Sequence, residues 1–73
     1  MWYRIFDSQI GQYMATGYNS KTFKEMKESF ISYKSVDTPT THLKRLNRKD
    51  FVDYMKVNDF ILEQELTKFE DYE

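Results

Sequence analysis

Apolar and polar positions alternate at the start of the chain and then change period. Trp2-Tyr3-Arg4-Ile5-Phe6 is aromatic and β-branched, which suits a pleated, half-buried strand. Asp7 to Gly11 is a break with a turn former at each end, and Gly11 can take a positive φ without steric cost. Gln12-Tyr13-Met14-Ala15-Thr16 predicts a second strand, ended by Gly17 and Asn19. Side chains on a strand alternate faces, so Trp2, Arg4 and Phe6 share one face, and Tyr3 and Ile5 share the other. Both faces carry large apolar groups. A two-stranded hairpin alone is marginal in water, so the rest of the chain must cover it.

The period then shifts to that of a helix. Phe23, Met26, Phe30 and Tyr33 recur at helical spacing and predict a helix over 21–34 with one aromatic stripe. Asn19 or Ser20 can cap its start, and Thr22 with Glu25 has the spacing of a capping box. That stripe is the natural cover for the hairpin. Ser35 to Thr41 holds the chain's single proline and reads as a loop. His42 to Leu46 reads as a helical turn or an irregular link. Asn47 then has the look of an N-cap, and Phe51, Tyr54 and Met55 mark a second helix over 48–57. Asn58-Asp59 stops it.

Phe60 to Leu66 fits either a third helix or a third strand. The strand is favoured, because Asn-Asp precedes β-prone Phe60 and Ile61 and the hairpin needs a partner. It is expected beside the first strand, giving the order 2-1-3. Residues 67–73 form an acidic, aromatic tail expected to fray. The predicted fold is α+β: a three-stranded antiparallel sheet, one main helix on one face and a shorter second helix, in the order ββααβ. At 73 residues this is one domain, 1–73.

Composition changes the picture in three ways. A core this small supplies roughly 3–5 kcal/mol unless something staples it. With no cysteine, neither a disulfide nor a cysteine-based zinc site can do so, and one histidine, His42, makes no histidine-paired metal site. The staple is expected to be aromatic: thirteen rings, 18% of the chain, each able to bury about 150–250 Å². A homodimer is the other route to more core. Second, no basic start followed by an apolar run of about 7–15 residues marks a signal peptide, and no stretch nears the ~20 apolar residues of a membrane span. The expectation is a cytoplasmic protein that does not enter a membrane. Third, the net charge of −1 gives no general pull on nucleic acid, but the charge is segregated. Eight basic residues face three acids over 21–49, and eight acids face two lysines from Asp50 onward.

WYRIFDSQIGQYMATGYNSKT, followed by a short helix and an acidic end, resembles small uncharacterised proteins encoded in phages and prophages of low-GC bacteria. The likeness lies in the hairpin stretch, about the first third of the chain. It implies an accessory or host-directed intracellular role and transfers no functional residues.

No catalytic motif accompanies the acids. Asp50 with Asp53, and Glu63 with Glu65, lack a Gly-rich or nucleophile partner and read as solvated faces. They also lack calcium-loop spacing. Neither catalysis, a metal site nor a cofactor is expected. The run from His42 to Lys49 offers Lys44, Arg45, Arg48 and Lys49 as a candidate nucleic-acid surface. The favoured function is protein binding, because thirteen rings exceed what so small a core hides and Tyr and Trp are preferred interface anchors. Trp2, Arg4, Tyr13 and Tyr18 are the expected contact residues, and one hairpin face, that of Trp2, Arg4 and Phe6 or that of Tyr3 and Ile5, lacks an obvious cover.

Overall fold

A computed structural model describes residues 1–72 of the chain; Glu73, the end of the predicted tail, lies outside the described residues. The elements run β1 (Trp2–Asp7), β2 (Gln12–Tyr13), α1 (Phe23–Lys34), a 3₁₀ turn (Thr41–Arg45), α2 (Arg48–Val57) and β3 (Phe60–Glu65). The strands form an open antiparallel sheet in the order β2-β1-β3, as the alternation and the need for a third strand predict. Phe60 to Glu65 is a strand, paired along all of β1 from Trp2 opposite Glu65 to Asp7 opposite Phe60.

The second strand is shorter than the expected 12–16. Gly11, at φ +68°, closes the hairpin by donating its N–H to Asp7. Pairing then covers Gln12 and Tyr13, with one further bond from Met14 N–H to Ile5. Ala15 to Asn19 turn away, with Gly17 at φ +81° and Asn19 at φ +60°. The chain rejoins β1 at Ser20, which exchanges two backbone bonds with Tyr3 at 2.9 and 3.1 Å. A glycine followed by an asparagine at positive φ makes a turn, not a continued strand. Gly17 also lies so close to α1 that a Cβ there would meet Ser29 at 3.1 Å.

Helix α1 begins at Phe23, two residues later than expected. Thr22 is the cap: its Oγ1 accepts from Glu25 N–H at 3.1 Å, and Glu25 accepts in return from Lys21 N–H at 2.9 Å. The buried stripe is Met26, Phe30 and Ile31, with Phe23 half-buried. Tyr33, expected in the stripe, is 38% exposed. Its ring only edges Phe60, and its hydroxyl donates to the buried Asp7 carboxylate at 3.4 Å. A hydroxyl that reaches a rim acceptor costs less there than inside the core. Helix α2 runs as the sequence predicts, with Asn47 Oδ1 accepting from Asp50 N–H at 2.8 Å.

Both helices pack on the face of the sheet that carries Tyr3 and Ile5, with Leu43 of the 3₁₀ turn plugging one side. Phe30 is the centre. Its ring meets Phe60 of β3 at 4.9 Å and Phe51 of α2 at 5.5 Å, both edge to face. Among the described residues no helix is long and apolar enough to cross a membrane. Phe30→Ala should cost about 3–5 kcal/mol, comparable to the stability expected of a core this size. Urea unfolding followed by circular dichroism should therefore show no cooperative folded baseline; a folded variant would mean that the Phe30 ring does not carry the core.

Candidate functional site

Among the described residues, no helix or strand covers the other face of the sheet. Trp2, Arg4 and Phe6 of β1 are half-buried there, beside Tyr13 of β2 and opposite Ile61 and Glu63 of β3. The alternation along β1 that sends Tyr3 and Ile5 into the core sends these side chains outward.

Arg4 organises this face. Its Nε donates to Glu63 Oε1 at 2.7 Å, and its Nη1 donates to the Tyr18 hydroxyl at 3.1 Å. Its guanidinium carbon lies 4.1 Å from the centre of the Tyr13 ring and 4.0 Å from that of Phe69. The Tyr13 hydroxyl donates to the same Glu63 carboxylate, 3.0 Å from Oε2. A planar cation suits this double task, since it stacks on rings while its edge donates. Tyr13 in turn meets Phe6 at 5.0 Å and Tyr18 at 6.1 Å, both near perpendicular.

Three of the four expected contact residues, Arg4, Tyr13 and Tyr18, are therefore in mutual contact. Trp2 stands apart from them, with the ammonium groups of Lys21 and Lys68 each about 6 Å from its ring, at 5.9 and 5.8 Å. Glu63, Asn19 and Phe69 join Arg4, Tyr13 and Tyr18, though no local sequence pattern marks these three as site residues. The tail expected to fray over 67–73 has neither helix nor strand in its described part, but it is held at Phe69. The Asn19 side chain accepts from Phe69 N–H at 2.9 Å and donates to Phe69 O at 3.1 Å. Beyond it, Tyr72 edges Tyr18 at 5.2 Å. A shallow hollow of about 600 Å³ opens between Arg4, Tyr18 and the tail residues Glu70 to Tyr72.

The basic residues are used differently. Arg48 lies 4.7 Å over the Phe23 ring and donates to the Tyr3 hydroxyl at 3.3 Å and to Gln64 Oε1 at 3.2 Å. Lys44 borders a second hollow with Lys24 and Lys27, but Lys27 Nζ already donates to Leu46 O at 2.6 Å. Arg45 and Lys49 are exposed. No cluster of three or more metal-ligating side chains occurs among the described residues. His42 is exposed and edges Tyr54 at 6.0 Å. Comparison of the chain with protein-family models, curated proteins and solved structures finds no match.

Three groups on or near the sheet are shifted. Burial, then the hydrogen bond to Glu63 and the Glu63 charge, push the Tyr13 phenol above its ordinary range. Burial, then the Asp7 charge, do the same for Tyr33. For Arg4, burial works downward, but the bonds to Glu63 and Tyr18 outweigh it and the net shift is upward.

A phenol whose folded-state pKa is raised stabilises the fold fully below its unfolded value of about 10, and that stability is lost as pH climbs through the folded value. Ultraviolet titration of tyrosinate should therefore show a late-ionising fraction among the six tyrosines, and stability should fall across the same alkaline range. Glu63→Gln should bring part of that fraction to lower pH, leaving the Tyr33 part in place. An unchanged titration curve would show that Glu63 does not hold the Tyr13 proton.

Proposed function

We propose that this chain is a non-enzymatic, cytoplasmic protein-binding module, an accessory or host-directed protein of the phage type that its hairpin resembles. Its partner docks on the outer face of the sheet through Trp2, Arg4, Tyr13 and Tyr18. The observation that carries this reading is the fixing of Arg4. Its guanidinium is held by Glu63 and Tyr18 and lies against two rings, on a face with no helix over it. Arg, Tyr and Trp are the side chains that most often dominate binding energy, and those already fixed before contact lose least entropy on binding. Ile61, 50% exposed on the same face, adds apolar surface next to Phe6.

The alternative is a nucleic-acid surface built from Lys44, Arg45, Arg48 and Lys49. It has weaker support, because the Arg48 guanidinium is already spent on Phe23, Tyr3 and Gln64. Phosphate binding depends on free cations gathered on one face.

A photo-crosslinking residue placed at Trp2 should capture a protein from lysate of the source cells, whereas one placed at Lys49 should not. Arg4→Ala should weaken that capture roughly 30-fold, the scale of an interface anchor worth about 2 kcal/mol. In parallel, gel shifts across salt concentration should show no tight binding of DNA or RNA. Tight binding with a steep salt slope, abolished by Lys44→Ala with Arg45→Ala, would overturn the reading.

A further inference from the structure

The tail segment at the outer face is an occupant, and its contacts describe what the face accepts. Asn19 engages both the N–H and the C=O of Phe69, at 2.9 and 3.1 Å. A side-chain amide that pairs with both backbone groups of one residue recognises a peptide backbone, whatever the side chain. Asn19 does so from φ +60°, a conformation uncommon outside glycine and most tolerated by Asn. The side chain is read separately: the Phe69 ring lies 4.0 Å from the Arg4 guanidinium carbon. Three residues on, Tyr72 edges Tyr18 at 5.2 Å, and Glu70 and Asp71 border the hollow beside Arg4. Apart from half-buried Phe69, every residue from Leu66 to Tyr72 is exposed. The segment is thus attached chiefly at Phe69, with Tyr72 against Tyr18 and the Lys68 ammonium 5.8 Å from the Trp2 ring.

We infer that the surface formed by Asn19, Arg4 and Tyr18 is a peptide-reading site that the chain's own Phe69–Tyr72 segment occupies in cis, and that its partner is a protein segment of the same chemistry: an aromatic residue, two acids and a second aromatic. The inference rests on the outer face being a protein docking surface, and it names what that surface takes. Arg4 supplies the cation over the first ring, Asn19 the backbone clamp and Tyr18 the edge for the second ring. A tethered segment competes at an effective concentration in the millimolar range, so it screens out weak ligands. A partner must displace Phe69, and its apparent affinity is reduced by the fraction of chains whose site is closed.

The probe is a labelled synthetic peptide of residues 66–73, LTKFEDYE, titrated by fluorescence anisotropy into the full chain and into full-chain Phe69→Ala. Phe69→Ala should bind it saturably and on the order of tenfold or more tightly than the wild type, because the competitor in cis is gone. The same peptide with Ala in place of its Phe should not bind. Asn19→Gly, which keeps the positive φ but removes the amide, should abolish binding in the Phe69→Ala background. Equal binding by wild type and Phe69→Ala overturns the inference, as does no saturable binding by a folded Phe69→Ala chain. A wild-type dimer that Phe69→Ala dissolves in sedimentation also overturns the cis assignment, since the tail would then be exchanged between copies.

If Phe69→Ala does not fold, the wild-type chain carries the test. Excess peptide should shift the Asn19 side-chain amide and Phe69 backbone amide resonances, and unmoved resonances overturn the inference. Should the peptide fail while crosslinking at Trp2 still captures a protein, the docking face stands and only the partner's chemistry is wrong. Should both fail, the docking reading falls as well.

Discussion

The fold depends on one ring, Phe30, meeting three others at right angles. It reaches Phe60 on β3, Phe51 on α2 and, at 6.4 Å, Tyr54 on α2. Edge-to-face contact directs the positive edge of one ring at the negative face of the next, so it constrains orientation as well as distance. Phe23 extends the set by edging both Phe51 and Tyr3 at 6.0 Å. Helix α1, helix α2, β1 and β3 are thereby tied through a chain of rings, with no cysteine to do it. Aliphatic side chains of equal volume would supply burial but not these angles, and angles are what a core of so few residues needs to hold one arrangement.

On the other face the same problem is solved with a cation. Among the described residues no helix lies over Trp2, Arg4 and Phe6, and neighbouring side chains cover their rings and stems. Arg4 gathers those neighbours. Its charge is matched by Glu63, the second oxygen of that carboxylate is satisfied by Tyr13, and Tyr18 takes a remaining N–H. Part-buried groups that satisfy one another in a closed set cost little to desolvate, whereas any one of them alone would be expensive. The set also fixes the rings in place, so the outer face is ordered by side-chain contacts without a helix to cover it.

What the sequence disclosed follows the range of the interactions. Helix α2 was legible to its ends, because its cap at Asn47 and its stop at Asn58 act within a few residues. The faces of β1 were legible from period two. The third strand is legible by a weaker route, from β-prone Phe60 and Ile61 after Asn-Asp and the need of a hairpin for a neighbour, since Phe60 to Leu66 also fits a helix. The end of β2 was not legible: whether Met14 to Thr16 continues a strand depends on Gly17 and Asn19 adopting positive φ against α1. Tyr33 and Ile31 exchanged places for a similar reason. A stripe spaced three and four apart leaves either residue eligible, and the Asp7 carboxylate draws the one with a hydroxyl to the rim. Of the candidate site, Arg4, Tyr13 and Tyr18 could be named because alternation puts Arg4 on the face opposite Tyr3 and Ile5 and rings and a cation suit an interface; that this face is the outer one follows only from where the helices pack. Glu63, 59 residues from Arg4, and Phe69, 50 residues from Asn19, required the register of β1 on β3 and the course of the tail, which no local pattern encodes.

Folding turns several charges of the basic middle and the acidic end to local tasks. Lys27 reaches back to the carbonyls that end the 3₁₀ turn, where its charge meets unpaired backbone oxygen. Arg48 leaves the run it belongs to in sequence and closes the rim of the core, stacked on Phe23 and bonded to Tyr3 and Gln64. Glu63, from the acidic end, is neutralised by Arg4 from the hairpin. Lys27 and Arg48 thus seal edges of the apolar core while their heads find polar partners, and Arg4 with Glu63 does the same on the outer face of the sheet. A small sheet with two helices has much rim relative to its interior, so the rim recruits charges wherever they lie in the sequence. The outer face of the sheet differs from that rim: rings and a guanidinium are held together there on a surface that no helix covers among the described residues.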